Sequence, residues 1–317
     1  MLSCLVTGGA GFIGSHIAEA LAKKGASVTI LDNLSSGKIE NISDFIKSVK
    51  FIEGDIRNPS DIEKSLDGIE VVFHQAAIPS VVKSFENPVE TFDVNVTGTL
   101  KLLEACRKKG VSKIIFASSS SVYGDSPSLP KHELMPIEPK SPYAISKMTC
   151  EVLLKLYCQN FGMEGVSLRY FNAFGPRQNP DSEYAAVIPK FITSLLTKKS
   201  PVIFGDGQQT RDFCYIHNVV NANLLSMEKS GLHGEVINVA TAERYSLLKL
   251  LEILSKITGE YLQPVFAPER PGDIKHSLAS IERACSLLNY TVEVNFEKGL
   301  EKTVEYFRKK LRELNKK

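Results

Sequence analysis

The nine residues VTGGAGFIG at positions 6–14 decide how the rest of the chain is read. They end a short apolar run, SCLVTG (3–8), and open the segment FIGSHIAEALAKKG, whose apolar residues recur at three and four spacing and which closes on Gly25. Strand, glycine turn and helix are expected in that order. As G-x-G-x-x-G the turn uses Gly9, Gly11 and Gly14; with the wider spacing it uses Gly8, Gly11 and Gly14. Either way, missing Cβ atoms let backbone N–H groups around Phe12 and Ile13 approach a pyrophosphate at a helix N-terminus, where the helix dipole favours negative charge.

The next apolar run, SVTILD (27–32), ends on Asp32, eighteen residues after Gly14. A carboxylate there accepts the two ribose hydroxyls of an adenosine. No Arg or Lys follows in LDNLSSGK until Lys38, so a 2′-phosphate would meet uncompensated negative charge. The expected cofactor is NAD rather than NADP. The alternative is a tight glycine turn with Asp32 capping the following loop.

Further apolar runs occur in VKFIEGD (49–55), EVVFHQ (70–75), KIIFAS (113–118) and GVSLRY (165–170). Their near-continuous apolar character, without alternation, predicts strands covered on both faces: a doubly wound α/β parallel sheet of the Rossmann type. Residues 1–170 are expected to form the NAD-binding domain. Residues 171–317, where loops such as NAFGPRQNPDSEY and FAPERPGDIKHS take over, are expected to form a smaller α/β substrate domain partly interwoven with the first.

Composition narrows the function. Among 317 residues, 38 Lys and Arg against 36 Asp and Glu give a net charge of +2, which provides no basic field to recruit nucleic acid. The six cysteines form no C-x-x-C pair and no histidine cluster has metal spacing, so no metal is expected and a reducing, cytoplasmic setting fits. The apolar LSCLV near the start turns at once into glycines, so neither a leader nor a membrane span is expected.

In SPYAISK, Ser141 is placed to cap a helix with Pro142 at its first position, and Tyr143 and Lys147 then share a face. A free phenol titrates near 10. A nearby ammonium, joined by a positive nicotinamide, favours the phenolate, which can take a proton from a sugar alcohol. The serine run ASSSSVYG (117–124) ends the preceding predicted strand.

Together, TGGAGFIG, SSSSVYG and YAISK resemble the extended short-chain dehydrogenase/reductase family, the sugar-nucleotide epimerases and dehydratases, and RYFNAFGPRQ and RPGDIKHS stand at that family's substrate-binding places. The resemblance implies that the catalytic Ser/Thr is Ser119, three residues before Val122, acting with Tyr143 and Lys147. It places Ser120 and Ser121 where 4,6-dehydratases carry Asp and Glu, which disfavours water elimination and leaves NAD-dependent 4-epimerisation of a UDP-hexose. It also implies adenosine contacts from Asn33, Asp55 and Ile56, and a nicotinamide side lined by Gln75, Ala76, Ala77 and Lys83. Tyr143, Lys147 and Tyr170 are implied cofactor contacts as well, and Tyr170 and Phe171 are pocket wall or core. Asn172, Arg211 and Arg270 are implied diphosphate contacts, and Lys83, Ser120, Val187, Asp273 and Ser277 line the substrate pocket. Ser277, small where related epimerases carry a large aromatic, leaves room for a 2-acetamido group. Segments 88–109 and 141–161 are implied to form a four-helix homodimer contact, with Leu100, Leu103, Val152 and Leu156 compatible. UDP-glucuronate epimerisation, a dehydratase or decarboxylase, and a non-catalytic NAD-binding regulator remain open.

Overall fold

The computed structural model describes residues 2–180, 187–269 and 275–314. The long apolar runs become one parallel sheet: β1 (Ser3–Thr7), β2 (Ser27–Asp32), β3 (Lys50–Glu53), β4 (Val71–His74), β5 (Lys113–Ser119) and β6 (Glu164–Tyr170). Short strands follow: β7 (Ala173–Phe174), β8 (Val202–Phe204), β9 (Thr210–Arg211) and β10 (Cys214–Tyr215). Then come β11 (His233–Val239), β12 (Tyr245–Ser246) and β13 (Val265–Ala267). The seven-stranded sheet has the order β11-β6-β5-β4-β1-β2-β3, while β7 pairs with β10, β9 with β12 and β8 with β13. The order reverses between β1 and β4, and in doubly wound sheets that crevice is where ligands bind.

The helices are α1 (Phe12–Lys23), α2 (Pro59–Ser65), α3 (Val81–Glu86), α4 (Pro88–Phe92), α5 (Thr99–Lys109) and α6 (Pro142–Phe161). The second part adds α7 (Val187–Leu196), α8 (Ile216–Glu228), α9 (Leu247–Thr258), α10 (Glu282–Leu288) and α11 (Phe296–Leu314). Side chains of one strand divide between two cores because successive residues point to opposite faces. Cys4 and Val6 of β1 pack with Ile17 and Leu21 of α1, whereas Leu5 packs with Leu102 and Leu103 of α5 and Leu154 of α6. Burying Ile17 or Leu21 completely contributes about 1.5–3 kcal/mol each.

Local chemistry sets the helix ends that matter for the site. α1 begins at Gly11 without a side-chain cap. At α6, the Ser141 hydroxyl accepts from the Ala144 N–H at 3.1 Å, Pro142 occupies the first turn, and Gly162 closes the helix at φ +68°. The division at 170/171 is crossed by the chain itself: β11 completes the first sheet beside β6, and α8 packs on α1. No helix among the described residues is long and apolar enough to cross a membrane, and none of their His, Cys, Asp and Glu side chains cluster in a group able to hold a metal.

Candidate active site

The glycine turn fills the β1/β4 crevice so tightly that side chains are impossible at two positions. Gly8 has φ +65°, and a Cβ there would sit 2.7 Å from the Ala76 nitrogen. A Cβ on Gly14 would sit 2.2 Å from the Gly8 carbonyl oxygen. The turn and the uncapped start of α1 therefore leave backbone N–H groups that could cradle a diphosphate. Asp32 closes β2 and is buried, its Oδ2 accepting from the Ala10 N–H at 2.9 Å and its Oδ1 from the Leu34 N–H at 2.8 Å. Burial raises its pKa, and these backbone bonds oppose the rise. Nothing in the sequence marks Gly37, yet a Cβ there would lie 2.8 Å from Asp32 Oδ1.

At the end of β3, Asp55 accepts from Asn33 Nδ2 at 2.9 Å and pairs with Arg57 at 2.7 Å. Hydrogen bonding from Arg57 holds the Asp55 carboxyl down at about 2. Ile56 is buried, and a Cβ on Gly98 would strike its side chain. Together with Asp32, these groups stand where the adenosine half of a dinucleotide is expected in this fold.

Ser119, Tyr143 and Lys147 converge at the C-terminal end of β5. The Ser119 Oγ accepts from the Ser121 N–H at 3.2 Å and from the Ser121 hydroxyl at 2.9 Å. Its own proton is then left to donate to Tyr143, and this hydrogen bond lowers the phenol's pKa. Burial is the larger influence and raises it, so the lysine without the nicotinamide's charge does not leave a phenolate. The reason is distance and desolvation: Lys147 Nζ stands 5.9 Å from the centre of the Tyr143 ring, and burial pulls the ammonium itself down to about 8. Lys147 Nζ donates to the Ala117 carbonyl at 2.8 Å and lies over the Phe116 ring.

The remaining serines of the run divide their work. Ser118 donates to Glu151 Oε1 at 2.5 Å, and Glu151 forms a buried two-pronged pair with Arg169, at 2.8 and 2.7 Å. Glu151 lies one turn beyond Lys147 on α6, so these bonds fasten the ends of β5 and β6 to α6. A lone Arg in the apolar run GVSLRY is the available sequence signal that a buried partner is needed.

Asn95 also escapes the motifs. It sits in a π-type turn, 93–98, and its amide joins Ile78 to Ser146, whose hydroxyl donates to the Tyr143 carbonyl at 2.7 Å. His74 spans from Thr7 at 2.7 Å to Thr99 at 2.8 Å. Because the Thr99 hydroxyl donates to the Asn95 carbonyl, it accepts from His74 Nε2–H. Burial depresses the His74 pKa to about 3, so the ring stays neutral.

On the substrate side, Asn172 adopts φ +31°, and its Nδ2 donates to the Asp212 carbonyl at 2.9 Å and to Ser277 Oγ at 3.1 Å. Both of its amide protons therefore have partners within the protein. Arg211 Nη1 donates to the carbonyls of Thr210 and Lys275, at 3.0 and 3.2 Å. Val187 opens α7, Lys83 is exposed on α3, and Ser120 is half-buried. Phe171 is fully buried core, and Tyr170 is buried with its hydroxyl tied to Gln75 and Asn223, so neither is an open pocket wall. Gln75, Ala76 and Ala77 follow β4 beside the glycine turn. Arg270 and Asp273 lie outside the described residues.

A model of the NAD dependent epimerase/dehydratase family matches residues 4–240. The chain belongs to this family. A curated relative, the putative UDP-glucose 4-epimerase of Methanocaldococcus jannaschii, is 41% identical over 96% of this chain and 98% of its own length. Among solved structures, the UDP-N-acetylglucosamine 4-epimerase of Methanobrevibacter ruminantium M1, in complex with UDP-N-acetylmuramic acid, is 44% identical with a TM-score of 0.93, covering 98% of this chain and 99% of its own. The UDP-glucuronic acid 4-epimerase of Bacillus cereus, solved with UDP-glucuronic acid and NAD, is 38% identical with a TM-score of 0.89, covering 98% and 100%. The cofactor is NAD, and the geometry of the glycine turn and Asp32 is compatible with holding it.

Proposed function

We propose that this family member is an isomerase that inverts carbon 4 of a UDP-hexose through a transient 4-keto sugar. The substrates proposed are UDP-glucose/UDP-galactose and UDP-GlcNAc/UDP-GalNAc. The carrying observation is the Ser119–Tyr143 hydrogen bond one helical turn from Lys147, with hydroxyls rather than carboxylates at positions 120 and 121. Bound NAD supplies a reversible hydride acceptor. Tyr143 removes and returns the proton of the 4-hydroxyl, Ser119 holds the substrate oxygen and steadies the phenolate, and Lys147 keeps positive charge behind the ring. With no acid at 120 and no base at 121, the ketone has no route to lose water and is reduced again at the same carbon.

The test is a panel of UDP-sugars followed by NMR and mass. Inversion at carbon 4 with unchanged mass is the expected result; a product lighter by water or carbon dioxide overturns it. A second reading, UDP-glucuronate 4-epimerisation, draws on the similarity to the Bacillus cereus enzyme. Turnover of UDP-glucuronate above that of the hexoses selects it.

Ser277 is proposed to admit the 2-acetamido group. Ser277→Tyr is expected to lower kcat/KM for the acetamido pair about a hundredfold more than for the plain pair. Because Ser277 Oγ also accepts from Asn172, Ser277→Ala is the control for that lost bond and should affect both pairs alike. Equal loss on both pairs in the Tyr variant contradicts the gate.

The protein is also proposed to work as a cytoplasmic homodimer. Val82, Phe85, Val89, Leu100, Val152 and Leu156 of α3–α6 are exposed, Val89 and Val152 by 79% and 63%, while Leu103 is buried in the core and drops out of the expected contact. Packing such faces from two copies gives a four-helix contact. Val152→Glu is expected to shift sedimentation from dimer to monomer; a wild-type protein that sediments only as monomer contradicts the assembly.

A further inference from the structure

Distant stretches of chain around Asn172, Thr241 and Ser277–Ala279 meet on one buried aspartate, Asp212. Asp212 is fully buried directly after Arg211. Its Oδ1 accepts from the Thr241 N–H at 2.9 Å and the Thr241 hydroxyl at 2.8 Å, and its Oδ2 accepts from the Ala279 N–H at 3.2 Å. Its main chain joins the same cluster. The Asp212 carbonyl accepts from Asn172 Nδ2 at 2.9 Å, and the Asp212 N–H donates to Ser277 Oγ at 3.3 Å. The Asn172–Ser277 bond at 3.1 Å closes a triangle. Segment 275–279 is further tied alongside β9, through Thr210 N–H to the Lys275 carbonyl at 3.1 Å and Ser277 N–H to the Thr210 carbonyl at 3.0 Å.

We propose that Asp212 is a positioning residue for the substrate-binding wall, setting where Asn172, Arg211 and Ser277 stand and acting on the substrate through them. This rests on the proposed reading of that wall as the UDP-sugar site. The physical basis is acceptor count. A carboxylate offers lone pairs on both oxygens, so it satisfies the Thr241 and Ala279 donors together. A carboxamide of the same size has one acceptor oxygen. It can serve Thr241 or Ala279, and at the other it sets N–H against N–H in a buried site. Releasing Ala279 removes one of the ties on segment 275–279, so Ser277 shifts against its remaining bonds to Thr210 and Asp212 and moves Asn172 with it. The glycine cradle and the Ser119–Tyr143 pair lie on other segments and keep their geometry.

The experiment uses the full-length protein and compares wild type with Asp212→Asn. It measures the UDP dissociation constant by calorimetry, NAD content, thermal midpoint, and kcat and KM for the UDP-hexose. The expected result is a UDP dissociation constant and a KM raised about tenfold or more, with NAD content kept and kcat within about threefold. Thr241→Val, which removes one hydroxyl donor and keeps the N–H, should raise both constants about threefold and decides the matter if Asp212→Asn does not fold. A merely structural role lowers the thermal midpoint and leaves the UDP constant of the folded protein unmoved. Folded variants with UDP binding within about twofold of wild type overturn the proposal. If wild type binds UDP but inverts no UDP-sugar, the functional reading fails while the UDP constants still judge Asp212; if wild type binds no UDP, both fail.

Discussion

Tyr143→Phe is expected to lower kcat by about a thousandfold, the scale of a lost proton-transfer group, while the protein keeps its fold and its NAD. The ring packs in place without the hydroxyl, since Tyr143 is buried and its side-chain bond is to Ser119. The loss therefore isolates chemistry from structure. Steady-state rates on the best UDP-sugar, beside thermal midpoints and bound-NAD absorbance, check it. A variant within about threefold of wild type removes Tyr143 from the mechanism. The structure sharpens the expectation: burial raises the pKa of Tyr143 and lowers that of Lys147 to about 8, so the chain alone does not hold a phenolate at neutral pH. Activation belongs to the assembled site, where the nicotinamide's positive charge adds to that of Lys147.

Gly14→Ala carries the second large effect. The added Cβ would lie 2.2 Å from the Gly8 oxygen and 2.9 Å from the Gly9 Cα, both backbone atoms that cannot rotate away. Helix α1 must back out of the crevice, and the N–H cradle opens with it. NAD affinity is expected to fall by about a hundredfold or more, with activity following it. Fluorescence titration with NAD measures the loss, and affinity within about threefold of wild type contradicts the cradle.

The parts of this fold that were legible in sequence are those whose information is local. The apolar runs, Gly25, and the Ser141–Pro142 helix start each fall within a few residues of the element they specify. The place of Asp32 at the end of β2 beside the glycine turn was legible because the two are close in sequence. The hidden parts are long-range pairings. Glu151 meets Arg169 and Ser118, Asn95 reaches Ile78 and Ser146, and Asp212 gathers Thr241 and Ala279. Each is a polar residue whose purpose depends on a donor or acceptor brought by another segment, and spacing along the chain does not reveal it. Tyr170 shows the converse: an aromatic beside a substrate motif suits a pocket wall, yet Gln75 and Asn223 satisfy its hydroxyl beneath the surface. Serine repetition was likewise ambiguous, because Ser118 and Ser119 at the end of β5 and Ser121 in the turn after it point to three different partners.

The most direct test of the central claim follows the hydrogen on carbon 4. A UDP-hexose carrying deuterium at that carbon, turned over in ordinary water, should give the inverted sugar with deuterium still at carbon 4, because the hydrogen leaves and returns as hydride within a closed site. Loss of the label to solvent, with protium at carbon 4 of the product, contradicts the account.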